Sequence, residues 1–282
     1  MNAIKSILLH LDDSPACAAR LRAANAIAQS MDASVKALYA VLPAFMQYAI
    51  AYSAGAEVAP MMQTLELERR TRTRALFDAT VGSGTAKHLE RIEWAECTGE
   101  PTASFAREAL VADLLVLGQH VEPADAPAGV TSDFNESVLI ASGKPALLIP
   151  AIYRAEPFGR VVLVAWKPTR VAARALSAAL PFLQRAQQVH LVQWIEPGVG
   201  VEDGAAPDVE ASLRRHGFTA IMHRDVAKSS DVGELLLSRA ADLGADLLVM
   251  GCYGHSRARE WALGGASRSV LQSMTVPVLM SH

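Results

Sequence analysis

The heptapeptide ADLLVLG at residues 112–118 returns as ADLLVMG at residues 245–251, with six of the seven positions identical. Each copy is a run of apolar residues that ends at a glycine. Such a run is typical of a strand that is buried on both faces of a parallel sheet. Ligands of open α/β proteins bind beyond the carboxyl ends of these strands. The repeat therefore predicts two related α/β units, each with a glycine at the edge where ligands bind.

Two further blocks recur in the same order along the chain. SVLIASGKPALLI at 137–149 matches SVLQSMTVPVLMS at 269–281, and ILLHLD at 7–12 resembles VLVAWK at 162–167. Repeated blocks in a fixed order indicate an internal duplication. The separation between copies falls from 155 residues for the first block to 132–133 for the others. The first half therefore carries about 23 extra residues in its middle.

Strand and helix patterns alternate throughout both halves, which predicts mainly parallel sheets with helices on both faces. Ser14 is placed to cap the helix that follows the first strand. A link rich in Pro and Gly, PAIYRAEPFGR at 150–160, separates the halves. We expect one domain over residues 1–152 and a second over residues 158–282.

Composition excludes several classes of protein. The net charge of −3 and the pI near 6.2 argue against a nucleic-acid partner. The three cysteines have no metal-ligand or disulfide spacing, and charged residues interrupt every apolar stretch that approaches a membrane span. The expected location is cytoplasmic. The sequence contains no serine nucleophile elbow, Walker loop or Cys-x-x-Cys pair, so we assign no catalytic residue and no metal ligand.

Glycines cluster after the second copy of the heptapeptide. Gly251 and Gly254 follow the strand, and Gly264 and Gly265 precede a predicted helix, ASRSVLQSM. A helix amino terminus presents unpaired N–H groups and partial positive charge, which suits a phosphate, and Ser267 adds a hydroxyl. The alternative is that these glycines only end a strand and begin a helix.

The segment MGCYGHSRAREWALGGAS, residues 250–267, resembles the nucleotide loop of the universal stress protein family, with glycines at the spacing of that family's motif. The resemblance extends over the whole chain as two tandem copies. It implies a Rossmann-like domain with a five-stranded sheet in each half. Some members of the family bind ATP and others bind none. The residues that it places around a nucleotide are Ala165, Lys167, Met250, Gly251, Gly254, His255, Gly264, Gly265, Ala266 and Ser267.

The second half departs from the family's pattern at two positions. The family's first strand ends in an Asp that contacts the nucleoside, and Lys167 stands at that position. Lys167 cannot accept a hydrogen bond but can pair with an anion. Gly265 replaces a Ser or Thr and keeps only the backbone N–H.

The first half departs differently, and we expect its site to be degenerate. It keeps Asp12 at the end of the first strand and Gly118 at the end of the heptapeptide, but Val121 replaces the second glycine. Asp133 and Glu136 stand at positions that would face phosphates, where a carboxylate repels them.

Other polar and aromatic residues admit two interpretations each. His120, Glu122 and Asp125 fit either a metal site or a solvated loop, and we favour the loop. His255 fits a phosphate contact or a solvated helix face equally well. Trp166 and Trp194 are placed to stack on a base, although core or subunit packing is the preferred role.

The segment LPAFMQYAIAYSAGAEVAPMMQ, residues 42–63, is apolar and unusually long for a connection. It fits a cover over the first-half cleft or an extra helix in a dimer interface, and we favour the second. Cys252 fits a reactive thiol or a buried small residue, and we favour burial.

Three hypotheses follow. The first is a tandem universal stress protein that binds ATP, with or without Mg²⁺, as a regulatory ligand in its second half. Its halves would form an internal pseudo-dimer through the final strands PALLIP and PVLMSH, with a homodimer as a further option. The second is a scaffold without nucleotide that acts through protein partners or an apolar ligand. The third is a slow ATP hydrolase.

Overall fold

The computed structural model of the chain describes residues 4–47, 59–82, 91–119, 129–154, 156–195, 208–228, 231–253 and 265–282. It confirms the predicted α/β fold with duplicated, mainly parallel sheet structure. The described residues divide into two compact units, residues 4–144 and residues 145–282.

The elements of the first unit are β1 (Ser6–Leu11), α1 (Cys17–Met31), β2 (Ser34–Tyr39), α2 (Ala44–Gln47), α3 (Ala59–Gly82), β3 (Ile92–Glu96), α4 (Pro101–Ala109), β4 (Leu114–Gly118) and α5 (Phe134–Ser142). Its four strands lie in the order β3-β2-β1-β4, and the pairs β1–β2, β1–β4 and β2–β3 are parallel.

The elements of the second unit are β5 (Ala146–Ile149), β6 (Val161–Ala165), α6 (Arg170–Leu183), β7 (Gln188–Ile195), α7 (Val209–Arg215), β8 (Ala220–Val226), α8 (Val232–Asp242), β9 (Leu247–Gly251), α9 (Ala266–Ser273) and β10 (Val278–Ser281). Its six strands lie in the order β5-β10-β9-β6-β7-β8. The pairing of β5 with β10 is antiparallel, with Leu148 opposite Val278, and the other pairs are parallel.

The aspartate shared by the two heptapeptides has a structural role. Asp113 Oδ2 accepts hydrogen bonds from the backbone N–H groups of Lys5 and Ser6, each at 2.9 Å. Asp246 does the same for Gly159 and Val161, at 2.8 and 3.0 Å. Each carboxylate therefore satisfies backbone donors at the start of β1 or β6, which explains why the repeat begins with Ala-Asp rather than with apolar residues alone.

The strand registers fix which positions of the two halves correspond. Ile7 of β1 lies opposite Leu114 of β4, and Val162 of β6 lies opposite Leu247 of β9. Counting onward from Ile7 and Val162, Asp12 corresponds to Lys167. The carboxyl edges of the two sheets can thus be compared residue by residue.

The apolar 42–63 segment contributes α2 and the first turn of α3, while residues 48–58 lie outside the described residues. Glu66 of α3 accepts a hydrogen bond from the backbone N–H of Ala44 at 3.1 Å, so α2 and α3 are joined directly. Arg69, also in α3, is 1% exposed and its Nε lies 3.3 Å from Asp13 Oδ2. The extra helix α3 is therefore anchored at the carboxyl end of β1.

Candidate functional site

The carboxyl edge of the first unit is occupied by an internal ion pair. Asp12 is 2% exposed, and its Oδ2 lies 2.8 Å from Nη2 of Arg20, which is itself 3% exposed. Nη2 makes no well-aligned hydrogen bond, so the contact is chiefly electrostatic. Burial alone would raise the pKa of Asp12, but Arg20, His10 and Ser14 outweigh it and lower that pKa. Asp12 is therefore a buried carboxylate with a protein partner.

The predicted cap by Ser14 is wrong. Helix α1 begins at Cys17, with Ala16 at the capping position and no side-chain cap bond. The Ser14 backbone N–H and hydroxyl instead donate to Asp12 Oδ1, at 3.0 and 2.5 Å. An ionised acceptor makes stronger hydrogen bonds than a neutral one, which explains why Ser14 turns back to Asp12 rather than forward to the helix.

The end of β4 is filled from two sides. A Cβ added at Gly118 would collide with Nη1 of Arg20, so the guanidinium lies against this glycine. The Asn135 side chain donates to the Gly118 carbonyl at 2.8 Å. Arg20 and Asn135 thus occupy the space around Gly118.

The second unit builds the corresponding edge from backbone. A Cβ at Gly251 would lie 2.6 Å from the Ala172 nitrogen and 2.7 Å from the Val171 carbonyl carbon. The first turn of α6 therefore approaches the end of β9 more closely than any side chain at residue 251 would allow. Thr169 caps this helix, with its hydroxyl oxygen 3.3 Å from the Ala172 nitrogen. Lys167, just before the cap, is exposed.

Helix α9 opens without a side-chain cap. Gly265 holds the capping position in an extended conformation, and it makes no side-chain cap bond. Because α9 leads into β10, which runs parallel to β9, its amino terminus lies at the carboxyl edge of the sheet. Ala266 and Ser267 begin the first turn, where unpaired N–H groups attract an anion.

Charge reverses between the two edges at matched positions. The repeat pairs Asp133 with Gly265 and Glu136 with Arg268, as it pairs Asp12 with Lys167. In the first unit Asp133 stands at the capping position of α5 and Glu136 lies in its first turn. In the second unit the same helix start carries no carboxylate and one exposed arginine, Arg268. At these three matched positions the first unit carries three carboxylates, one of them paired with Arg20, and the second unit carries two cations and no carboxylate.

The structure describes seven of the ten residues assigned to the second-half site. Ala165, Lys167, Gly251, Gly265, Ala266 and Ser267 lie at the carboxyl edge, at the ends of β6 and β9 or the start of α9. Met250 is 4% exposed, so its side chain belongs to the core. Gly254, His255 and Gly264 lie outside the described residues, as do Val121, His120, Glu122 and Asp125.

Three other residues singled out from the sequence lie near the second edge. Cys252 is 1% exposed, and its backbone N–H donates to the Ser281 carbonyl at 3.0 Å, so the thiol is buried. Trp166 follows β6 and Trp194 lies near the end of β7, and both are half-buried.

Sequence reasoning did not find Arg20. An arginine within a helix ordinarily reads as an exposed cation, so its burial gives no local signal. The signal lies in the repeat, because the residue that corresponds to Arg20 in the second half is Ala175, which is 1% exposed. Arg20 in one copy and a buried alanine at the corresponding position of the other copy indicate that the interiors of the two units differ.

Among the described residues, none of the helices combines the length and the apolar character that a membrane span requires. The same parts of the chain contain no group of three or more His, Cys, Asp or Glu side chains arranged to hold a metal ion.

The fold and the two sheet edges define the chain as a duplicated, Rossmann-like α/β protein. The family model of the universal stress protein family matches residues 3–133 and 160–282, and the chain belongs to this family. No curated protein matches the chain.

Two solved structures with TM-scores above 0.5 agree with this assignment at the level of the fold, and a third similar structure is given for comparison. A universal stress protein from Archaeoglobus fulgidus DSM 4304 is 17% identical, with a TM-score of 0.68 over 98% of this chain and 95% of that one. A putative universal stress protein from Pseudomonas aeruginosa UCBPP-PA14 is 18% identical, with a TM-score of 0.57 over 99% and 93%. A universal stress protein in complex with cAMP is 23% identical, with a TM-score of 0.32 over 44% and 97%.

Proposed function

We propose that this chain is a stress-response protein that binds an adenine nucleotide, ATP, as a regulatory ligand at the carboxyl edge of its second half. The observation that carries the proposal is the charge reversal between the edges. Two cations, Lys167 and Arg268, stand where the first half has carboxylates, beside a helix start that carries no side-chain cap. Phosphate oxygens suit cationic side chains and helix amino termini.

The close approach of α6 to Gly251 supports the same ligand. The Ala172 nitrogen lies 2.6 Å from where a Cβ of residue 251 would be, so the first turn of α6 packs directly against the end of β9. That turn adds partial positive charge at the carboxyl edge. The first half presents Arg20 there instead, already paired with Asp12, so we propose one nucleotide site per chain.

The first experiment identifies what the protein carries. The full chain is purified gently without added nucleotide and then denatured, and the released small molecules are identified by mass spectrometry. We expect ATP or ADP at close to one equivalent per chain. Calorimetric titration of the emptied protein with ATP, with and without Mg²⁺, and with cAMP then compares the ligands.

Charge-reversal variants locate the site. Arg268→Glu restores the carboxylate of the first half, and we expect at least about tenfold weaker ATP binding, equivalent to about 1.4 kcal/mol. Arg215→Glu makes the same charge change on α7 and serves as the control. Equal weakening by both variants would assign the effect to net charge and would contradict a site at α9.

A second pair of variants tests the glycine loop. Gly254→Leu places a bulky side chain at the second glycine of the loop, and we expect ATP binding to be lost while the fold is kept. Val121→Leu changes the corresponding position of the first half and should leave affinity unchanged. Unaltered affinity in the Gly254→Leu protein would exclude the loop from the site.

A scaffold without nucleotide is the second candidate, and two observations favour it. The first-half edge is filled by Arg20, and α2 and α3 expose Met46, Met61 and Leu67 at 53%, 69% and 62%. Protein that carries no nucleotide and gives no heat with ATP, while retaining a partner in pull-down, would support this candidate.

The main proposal also includes the domain organisation. We propose that residues 1–152 and 158–282 form separate domains, arranged as an internal pseudo-dimer.

A further inference from the structure

Two histidines face each other on neighbouring strands of the second unit. β7 and β8 run parallel, with Val192 opposite His223 and His190 opposite Ile221, so both histidines lie on the same face of the sheet. His190 Nδ1 lies 3.0 Å from His223 Nε2, with the rings tilted by 36°. His190 is 5% exposed and His223 is partly exposed, so one side of the pair reaches solvent.

A neighbouring side chain favours one tautomer of His190. The Nε2 of His190 lies 3.4 Å from Gln188 Oε1, which accepts hydrogen bonds, so this contact favours the tautomer with its proton on Nε2. The lone pair of Nδ1 then points toward His223. In this tautomer Nδ1 is the nitrogen available to a metal ion, because Gln188 holds the other nitrogen.

The separation of the two nitrogens suits a shared metal ion. Metal–nitrogen bonds of about 2.0–2.1 Å at tetrahedral or square-planar angles place adjacent ligand nitrogens about 2.9–3.4 Å apart. We propose that His190 Nδ1 and His223 Nε2 together bind a late first-row divalent cation, Cu²⁺ most strongly. Imidazole pairs suit this class of metal, and Cu²⁺ leads its affinity order.

The surroundings complete the site only in part. Gln188 acts on His190 as an outer partner that orients the ring, the arrangement usual for metal-bound histidines. Asp225 lies on the same face two residues beyond His223, but its Oδ2 is bound by Arg239. Since no third His, Cys, Asp or Glu joins the pair within the described residues, water completes the coordination.

Binding would link the outermost strand to its neighbour. β8 ends the strand order of the described sheet and is paired there with β7 alone. A metal ion bound by one histidine of β7 and one histidine of β8 would link these two strands in addition to their hydrogen bonds. Because a metal stabilises the state that binds it, the folded protein gains stability with metal concentration. This inference is independent of nucleotide binding.

Calorimetric titration of the untagged, chelator-treated full chain with Cu²⁺, and then with Zn²⁺, tests the proposal. We expect one Cu²⁺ per chain at this site, nitrogen hyperfine structure in its electron paramagnetic resonance spectrum, and a raised unfolding temperature. His223→Gln should weaken Cu²⁺ binding at least tenfold and remove the nitrogen signal. His216→Gln, which changes an exposed histidine at the end of α7, should change neither.

His190→Gln provides a second removal of a ligand and should match His223→Gln. Should the buried position prevent that variant from folding, the partly exposed His223 still decides the matter. Cu²⁺ binding that is absent, or that is unchanged in His223→Gln, would overturn the proposal and leave the pair as a hydrogen bond between the two rings.

Discussion

His10 is a histidine held neutral in the interior of the first unit. It is 2% exposed, its Nε2 lies 2.9 Å from the Ala40 carbonyl, and the rings of Phe105 and Phe134 pack against it. Burial lowers its pKa from 6.5 to about 4, and the nearby Arg20 adds to the effect, although Asp12 and the Ala40 carbonyl oppose it. The folded protein therefore takes up this proton only as the pH approaches about 4.

The free energy of unfolding should consequently fall as the pH drops from 6.5 to about 4. In this window the unfolded chain binds the proton and the folded chain does not, so acid favours unfolding by up to about 3 kcal/mol. Urea denaturation across the window measures the slope. His10→Gln should flatten it and His216→Gln should not, and an unchanged slope in His10→Gln would contradict the assignment.

The buried pair of Asp12 and Arg20 gives a second prediction at this scale. Removal of either partner leaves an uncompensated buried charge, which costs about 3–5 kcal/mol. A double-mutant cycle with Asp12→Asn and Arg20→Met should give a coupling of about 1–3 kcal/mol in denaturant unfolding. The exposed pair of Arg74 and Asp78, 51% and 56% exposed, should give a coupling of only about 0.3–0.5 kcal/mol. Equal couplings would contradict the buried ion pair.

At the scale of elements, the two glycines that end the repeated strands are needed for different reasons. Gly118 leaves room for the guanidinium of Arg20, whereas Gly251 leaves room for the backbone of α6. A flexible side chain can move aside, but a helix backbone cannot do so without shifting the helix. The same residue at the same place in the repeat therefore serves two different packings.

Gly251→Ala should accordingly destabilise the second unit by about 1–3 kcal/mol, because overpacking displaces α6. Chemical denaturation monitored by circular dichroism gives the change. Gly82→Ala, at the end of α3 where no atom lies within 4 Å of an added Cβ, is the control and should cost nothing. A neutral Gly251→Ala variant would show that α6 has room to move.

The elements and their order could be predicted because buried strands and amphipathic helices leave their periods in the sequence. The site could be predicted only in part. The glycines and the reversal from Asp12 to Lys167 are visible in the repeat, since each is a local difference between copies. The engagement of Asp12 by Arg20 and the pairing of His190 with His223 join residues 8 and 33 positions apart, and only the packing of the fold brings them together.

At the scale of the whole molecule, β5 belongs to the first copy of the sequence repeat but to the second compact unit of the structure. In the order of residues β5 ends the first copy, but its contacts group it with residues 145–282, where it pairs with β10. Leu147 and Leu148 of β5 and Leu279 of β10 are fully buried. The second copy therefore folds against a strand that precedes it in the chain.

A fragment of residues 145–282 should therefore be more stable than one of residues 151–282, which lacks β5 and the proline on either side of it. Without β5, the edge of β10 loses its antiparallel hydrogen bonds and its apolar neighbours. The loss should exceed the roughly 2 kcal/mol that truncation of one buried leucine costs, and the open edge should promote association. Denaturant unfolding and light scattering compare the fragments. Equal stability would mean that β5 is dispensable and that the second sequence repeat folds without it.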